Sequence, residues 1–197
     1  MTGTTVSIRQ VDGTASTLSN TVLEQLLQKN LESAPLPVYT GAERTFIEAI
    51  HNTYDNRELP GTAHKYDWRV RKQVLEWTWD GQNAINDFVM PYVPSDYISP
   101  GSTDVGDVSW LTPTAQFSAA TWASNCPGHS WQMVATGKTS FAHKAMLYAG
   151  MVLAGAAADM MTDPAILREA RAEFDVTAAS GYDCPLEPDL VAEPAAI

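Results

Sequence analysis

Cysteine and basic side chains are what this sequence has least of. Only Cys126 and Cys184 occur among 197 residues, and they lie far apart in the chain. Two separated cysteines exclude a disulfide framework or a zinc ribbon and predict free thiols. The 12 basic residues are outnumbered by 23 acidic ones, which gives a net charge of -11. Such a chain repels phosphate groups, so neither a nucleic acid nor an anionic membrane surface is an expected partner.

Targeting and membrane signals are also scarce. The first ten residues contain no basic stretch followed by an apolar core, which predicts no signal peptide and a cytoplasmic protein. The longest apolar stretch, residues 145–161, is short for a membrane span and is interrupted by Asp159. We therefore expect a buried helix there and no membrane segment.

Two segments have the composition of β-strands. In residues 4–11, Val6 and Ile8 alternate with polar side chains, as in a strand with one solvated face. Residues 116–122, where Phe117 lies among small apolar neighbours, are the second candidate. Hydrophobic residues make up 45% of the chain, which is sufficient for a packed core around such strands.

Helical periodicity dominates the segments between these strands. Apolar residues recur at helical spacing over residues 21–32 and again after Thr40. Thr21 with Glu24, and Thr40 with Glu43, have the spacing of a capping box, in which each side chain bonds the other's backbone N–H. We predict two helices that begin at these pairs.

The last third of the chain predicts two more helices. Residues 140–161 form a long helix, capped by Thr139 or Ser140, whose apolar side chains pack on more than one side. Those side chains are Phe141, Met146, Leu147, Met151, Val152 and Leu153. Residues 163–174 begin at an Asp-Pro pair that suits an N-cap and the first helical position. The acidic stretch from residue 178 onward contains three prolines and is expected to lie over the surface.

Three tryptophans cluster in residues 65–79: Trp68, Trp77 and Trp79. The pattern favours a helix whose aromatic side packs on the body of the protein, and the alternative is a stacking platform for an aromatic ligand. Residues 87–100 are rich in proline and tyrosine, which predicts an irregular surface loop.

The order of strand, helices, strand and buried helix predicts an α/β fold. Two strands are few for a complete sheet in a chain of this length. The sequence therefore indicates part of a larger unit.

Most side chains with catalytic or metal-binding potential lie between residues 101 and 144. They are Asp104, Asp107, Cys126, His129, Ser130 and His143. Asp104 and Asp107 flank a glycine, and could bind a metal through carboxylate oxygens or simply cap turns. His129 follows a Pro-Gly pair in a loop, 124–130, after the second strand. An imidazole there could bind zinc or manganese, although a lone histidine is often structural.

Nucleophilic catalysis is less well supported. Residues 128–132 match the G-x-S-x-G motif only in part, and residues 130–137 are a poor helix start, so Ser130 is not an expected nucleophile. Cys126 with His129 lacks a third, orienting group. His143 and Lys144 begin the long helix, where positive charge opposes the helix dipole. They are either an exposed pair, or the unfavourable charge is relieved by a partner, a ligand or a neutral imidazole at His143.

Three motifs in order carry a family resemblance. They are GSTDVGDVSW at 101–110, PGHSWQ at 127–132 and TSFAHKAMLYAGMVLA at 139–154. Together they resemble the C-terminal catalytic stretch of peptidase family twenty of the metallo class, and within it the aminobenzoyl-glutamate utilisation protein B subgroup. Residues 17–33 and 42–50 resemble, less specifically, the segment that returns from that family's lid domain.

This resemblance implies a three-layer α/β/α catalytic domain with an inserted lid domain that dimerises. Residues 1–18 would be the end of the lid domain, and residues 19–197 the C-terminal part of the catalytic domain. Two metal ions, zinc or manganese, would be held mainly by a His-x-Asp motif and an acidic pair, neither of which occurs in this sequence. His129 would be the last metal ligand.

The implied function is that of a fragment or subunit of a two-metal amidohydrolase. The substrate would be an N-acyl amino acid such as aminobenzoyl-glutamate, and the chain alone would be inactive because the general-base glutamate lies outside it. The alternative is a non-catalytic binding or assembly module on the same scaffold. An independent serine or thiol hydrolase is a third class. We expect association, as a homo-oligomer or with a missing N-terminal half, because an incomplete sheet exposes an unpaired edge.

Overall fold

The computed structural model describes residues 3–8, 10, 12–54, 68–77, 82–94 and 103–186. Within these residues the chain forms seven helices and no β-strand. They are α1 (Thr21–Ser33), α2 (Gly41–His51), α3 (Trp68–Trp77), α4 (Val105–Ser109), α5 (Trp131–Gly137), α6 (Ser140–Thr162) and α7 (Pro164–Thr177). Helix α6 is central, because it packs against α1, α5 and α7, and α1 also packs against α7.

Both predicted strands are wrong as far as their residues are described. Residues 3–8 and 113–121 have no regular structure, and Val6 and Ile8 are 86% and 93% exposed. A strand is stabilised by the backbone ladder it forms with a neighbour, and no such ladder occurs in the described ranges. The alternating apolar and polar residues therefore do not form strands, because no neighbouring strand pairs with them in the described ranges. The observed part is helical, and the α/β class predicted for the whole remains an expectation.

The start of α1 is capped differently from the prediction. Asn20, and not Thr21, is the N-cap: its Oδ1 accepts from Leu23 N at 3.1 Å, and its Nδ2 donates to Ala170 O of α7 at 2.8 Å. Asn20 is only 1% exposed, so both halves of its amide are satisfied within the protein. The predicted capping box of Thr21 with Glu24 is therefore wrong.

Glu173 of α7 completes this helix start. Its carboxylate accepts from Thr21 N at 2.8 Å, from Thr21 Oγ1 at 2.8 Å and from Val22 N at 3.1 Å. Burial alone would raise the pKa of Glu173, but these hydrogen bonds outweigh it and lower the pKa. A carboxylate at a helix N-terminus is also favoured by the helix dipole, so α7 holds α1 by charge as well as by packing.

The capping box at α2 is confirmed. Thr40 Oγ1 accepts from Glu43 N at 3.3 Å, and Thr40 N donates to Glu43 Oε2 at 2.7 Å. Glu43 also forms an ion pair with Lys144 of α6 at 2.7 Å, with the glutamate side chain 10% exposed. Hydrogen bonds from Lys144, and then from Ser140, lower the pKa of Glu43 to about 2. One carboxylate therefore both starts α2 and joins it to α6.

Two clusters of buried side chains form the core. The first contains Tyr39, Ile47, Ile50, Ala84, Ile85, Ala123 and Phe141, and joins α2 to α6 and to residues 82–94. The second contains Leu26, Leu27, Tyr148, Val152 and Ala156, and joins α1 to α6. Tyr39 and Phe141 stack with their ring centroids 4.4 Å apart.

Helix α6 is confirmed as a helix but is buried on one side only. Six of its residues are buried: Phe141, Ala142, Ala145, Tyr148, Val152 and Ala156. Met146, Leu147, Met151 and Leu153, predicted to pack as well, are 58%, 64%, 46% and 55% exposed. By length and composition alone α6 could also cross a membrane, against our expectation, although the core helices of soluble proteins satisfy the same criteria.

The remaining predictions are mostly confirmed. Helix α7 begins after Asp163 as predicted, with Pro164 in its first turn. Helix α3 lies within residues 65–79, and the Trp77 ring contacts Phe88 with 5.2 Å between ring centroids, which supports the packing interpretation. Residues 87–94 are irregular. Trp79, the side chain of Trp68, residues 95–100 and the end of the predicted surface tail, residues 187–197, lie outside what the structure describes.

Candidate functional site

The loop at residues 124–130 leads directly into α5 and carries the histidine predicted to bind metal. His129 has a φ of +54°, and Asn125, four residues earlier, has a φ of +55°. The left-handed region is uncommon for residues other than glycine, and such conformations cluster at functional sites. The two left-handed residues flank Pro127 and Gly128, so the chain turns sharply and leaves the His129 side chain exposed.

The base of this loop is fixed by three hydrogen bonds to neighbouring segments. Tyr54 OH donates to Ser124 O at 2.6 Å, Ser124 N donates to Ala84 O at 2.9 Å, and Gln132 Nε2 donates to Thr53 Oγ1 at 3.2 Å. Burial, and then the nearby Cys126, raise the pKa of Tyr54, so its hydroxyl stays protonated as the donor. The loop is therefore an exposed tip on an anchored base.

Ser130 is the N-cap of α5. Its hydroxyl donates to Pro127 O at 2.6 Å and accepts from Met133 N at 3.4 Å. The expectation that residues 130–137 start a helix poorly is wrong, because serine at the N-cap satisfies one of the free N–H groups of the first turn. These are the bonds of a helix cap, and not of a serine paired with a general base.

Cys126 shows no sign of activation. Its Sγ lies 3.8 Å from Ser130 Oγ, and burial raises the pKa of the thiol, although the contact with Ser130 opposes this. A raised pKa reduces the thiolate fraction at neutral pH, whereas catalytic cysteines have lowered pKa values. A thiol nucleophile at this position has no support in the described structure.

The two aspartates that flank Gly106 have different roles. Asp107 Oδ1 accepts from Ala15 N at 3.1 Å and from Tyr182 OH at 2.8 Å, so it joins the N-terminal segment and the C-terminal tail to α4. Asp104 is exposed and precedes α4 without a capping hydrogen bond from its side chain. The sequence left metal binding and a structural role open for these aspartates, and Asp107 has the structural role.

His143 and Lys144 are separated in their environments. His143 is exposed in the first turn of α6, and its backbone N–H donates to Thr139 O at 3.1 Å. The Lys144 side chain is half-buried. It forms an ion pair with Glu43 and also donates to Val38 O at 2.9 Å. The interpretation of both residues as an exposed pair is therefore wrong for Lys144, which has a partner within the chain.

A second histidine near the loop was not singled out from the sequence. His51, the last residue of α2, packs edge-on against Tyr54 with ring centroids 5.4 Å apart. Its Nε2 atom is buried without a hydrogen-bond partner, and burial lowers the pKa of His51. Its position at a helix end next to a Tyr54 that anchors the loop is a tertiary feature, and no spacing in the sequence indicates it.

The described residues also enclose an aromatic cavity. It has a volume of about 490 Å³ and is lined by residues of α1, α6 and the irregular segments. Its aromatic side chains are Tyr39, Phe88, Tyr92, Phe117, Trp122 and Tyr148. Asn86 also lines it, and the Oδ1 atom of Asn86 is buried without a hydrogen-bond partner. The cavity can therefore accommodate an apolar or aromatic group.

The donor set for a metal is incomplete in the part of the chain described. No group of three or more histidine, cysteine or acidic side chains converges among those residues. A catalytic zinc site needs about three protein ligands. The exposed imidazole of His129 fits a metal ion as one ligand, and the others would have to come from elsewhere.

Comparison with known proteins agrees with the resemblance found in the sequence. No family model matches the chain, and no solved structure matches it. The chain is similar to the B subunit of p-aminobenzoyl-glutamate hydrolase from Escherichia coli strain K12, with 31% identity over 206 residues. The alignment covers 98% of this chain but only 41% of that relative. The chain is thus related over nearly its whole length to the B subunit of p-aminobenzoyl-glutamate hydrolase, and it fits the C-terminal part of such a protein.

Proposed function

We propose that this chain is the C-terminal part of a two-metal amidohydrolase that cleaves an N-acyl amino acid of the p-aminobenzoyl-glutamate kind. The observation that carries the proposal is the similarity to the B subunit of p-aminobenzoyl-glutamate hydrolase over 98% of the chain. The proposal also includes a three-layer α/β/α domain, a lid domain that ends near residue 18, and a cytoplasmic location. The assembled protein would be a homo-oligomer or a complex with the missing half.

Within this proposal His129 contributes one ligand to the metal site. A zinc or manganese ion held there would supply Lewis-acid chemistry, because it would polarise an amide carbonyl and lower the pKa of a water molecule. The loop geometry suits the role, because the left-handed φ of His129 presents the imidazole at an exposed tip while Tyr54 anchors the base. A ligand on an anchored loop loses little conformational freedom when it binds, which favours affinity.

The other catalytic parts would come from outside this chain. A general-base glutamate and the remaining metal ligands are expected there, because the His-x-Asp motif and the acidic pair that the resemblance implies do not occur in this sequence. A single imidazole holds a metal weakly. We therefore expect the 197-residue chain alone to hydrolyse no amide.

The alternative function is a binding module without catalysis, and the aromatic cavity is the observation that favours it. A volume of about 490 Å³ is within the range of small-molecule sites, and its aromatic lining suits a benzoyl ring. Such a module would bind the ligand and leave its amide bond intact.

A chimera distinguishes the two functions. This chain would replace the aligned 41% of the Escherichia coli relative, and the release of p-aminobenzoate from p-aminobenzoyl-glutamate would be measured. The proposal predicts hydrolysis by the chimera that requires added zinc or manganese, and none by the chain alone. A folded but inactive chimera, together with calorimetric binding of p-aminobenzoyl-glutamate to the chain alone, would favour the binding module.

A further inference from the structure

The solvent-facing side of α6 is a continuous apolar surface without a partner in the described residues. We call it the α6 apolar face: Met146, Leu147, Gly150, Met151, Leu153, Ala154, Ala157 and Met161. All eight residues are exposed, and Met161 reaches 85%. Monomeric soluble proteins rarely expose contiguous apolar patches larger than a few hundred Å², and larger ones mark interaction sites.

The charged residues Lys144 and Asp159 of α6 bond to residues of other helices, and neither belongs to the α6 apolar face. Lys144 pairs with Glu43 at 2.7 Å, and Asp159 accepts from Lys29 and Asn30 at 3.0 Å each. Between Lys144 and Asp159 the helix has no charged residue. The face therefore has no polar group that would favour exposure to water, and its Gly and Ala residues allow another backbone to approach closely.

We propose that the α6 apolar face is covered by the remainder of the amidohydrolase, supplied either as the continuing chain or as a separate subunit. Only the identity of the covering segment depends on the proposed function. The alignment leaves more than half of the Escherichia coli relative outside the similarity, so that protein contains additional chain from which the covering segment would come. Burial of this face would then be a main source of the affinity between the two parts.

A lipid bilayer is the competing occupant, since α6 is long and apolar enough to span one. The contacts of its opposite face argue against it. Tyr148 OH donates to Leu31 O at 2.6 Å, and α1 and α7 pack on this side with many charged residues of their own. A helix bound on one side to charged surface helices cannot enter lipid without carrying them along. The net charge of -11 further disfavours an anionic membrane.

Cysteine accessibility tests the proposal in the chimera described above. In a background without Cys126 and Cys184, Leu147→Cys would be labelled with a maleimide, and Leu167→Cys on α7 would be the control. The two leucines are similarly exposed, at 64% and 52%. We expect both cysteines to react in the 197-residue chain, and Leu147→Cys alone to be protected in the chimera by about tenfold or more, as expected for a buried thiol. Equal labelling of both positions in the chimera would overturn the proposal.

Co-purification and vesicle flotation provide two further tests of the same proposal. If the chimera does not fold, the chain would be co-expressed with the complementary part of the relative, and Leu147→Asp should abolish co-purification while Leu167→Asp should not. Co-purification that survives Leu147→Asp would count against the surface. The face would instead be assigned to lipid if the chain floats with phosphatidylcholine vesicles, if Leu147→Asp abolishes flotation, and if labelling in the chimera is free.

Hydrolysis by the chimera is a separate measurement. Protection of Leu147→Cys without hydrolysis would reject the proposed function alone, and hydrolysis with free labelling would reject the proposed surface alone.

Discussion

Two glycines five residues apart in α6 provide a matched test of how α1 packs on α6. A Cβ at Gly150 would meet no atom within 4 Å, whereas a Cβ at Gly155 would overlap Oδ1 of Asn30 and lie 3.2 Å from its Cγ. Asn30 is 8% exposed, and its Nδ2 donates to Leu26 O and to Asp159 Oδ2 at 3.0 Å each. The Asn30 side chain therefore cannot move away without breaking these hydrogen bonds.

The magnitudes of the two substitutions follow from this difference. Gly150→Ala should stabilise the 197-residue chain by up to about 1 kcal/mol, since alanine is the better helix former. Gly155→Ala has the same gain, but it displaces an amide whose two bonds contribute about 1 kcal/mol each, and more if a buried group is left unpaired. We expect a net loss of about 1–3 kcal/mol for Gly155→Ala.

The measurement is urea unfolding followed by far-UV circular dichroism. Gly155→Ala should lower the midpoint and Gly150→Ala should not. In an Asn30→Ala background the colliding atom is absent, so the cost of Gly155→Ala should largely disappear. Equal stabilities of the two glycine variants would refute the described packing of α1 on α6.

Three other perturbations have expected outcomes in the same assay. Gly106→Ala should cost about 1–3 kcal/mol, because a Cβ there overlaps the carbonyl oxygen of Ala15, which belongs to the backbone and cannot rotate away. Glu173→Ala should cost about 1–2 kcal/mol, because it removes the carboxylate that accepts three hydrogen bonds at the start of α1. Acid should destabilise the chain through Glu43, whose pKa is lowered from 4.5 to about 2: its contribution is complete above pH 4.5 and is lost as the pH falls toward 2. Glu43→Gln should flatten that part of the stability profile.

Each of these has a control within the chain. Gly137→Ala, where a Cβ meets nothing within 4 Å, should be tolerated. Glu169→Ala lies on the exposed side of α7 and should change stability little. If either control variant were as destabilising as Gly106→Ala or Glu173→Ala, the specific contacts would not be the cause. An unchanged acid profile in Glu43→Gln would exclude the ion pair with Lys144 as its source.

Features set by neighbouring residues were predictable from the sequence. The Thr40–Glu43 capping box and the Asp163-Pro164 helix start both depend on contacts within four positions of the chain, and both are confirmed. The start of α1 was not predictable in the same way, because Glu173 lies about 150 positions from Thr21. The strand predictions failed for a related reason: a strand exists only with a partner, and the described residues provide none.

The candidate site shows the same division. The loop at 124–130 was predicted from its Pro-Gly pair, but the left-handed backbone at His129 and the anchoring of the loop by Tyr54 are tertiary features. The burial of Lys144 against Glu43 also joins residues far apart in sequence. The role of His129 came from the family resemblance and stays a prediction, since one imidazole on the described residues does not define a metal site.

The metal content of the chimera with His129→Ala, compared with His143→Ala, tests the central claim most directly. Both histidines are exposed and lie within fifteen positions of each other, so nonspecific effects of the substitutions should be similar. Loss of a ligand leaves a metal under-coordinated, so His129→Ala should lose bound zinc or manganese and hydrolysis together, whereas His143→Ala should retain both. Full metal occupancy in His129→Ala, or loss of metal in His143→Ala alone, would contradict the account.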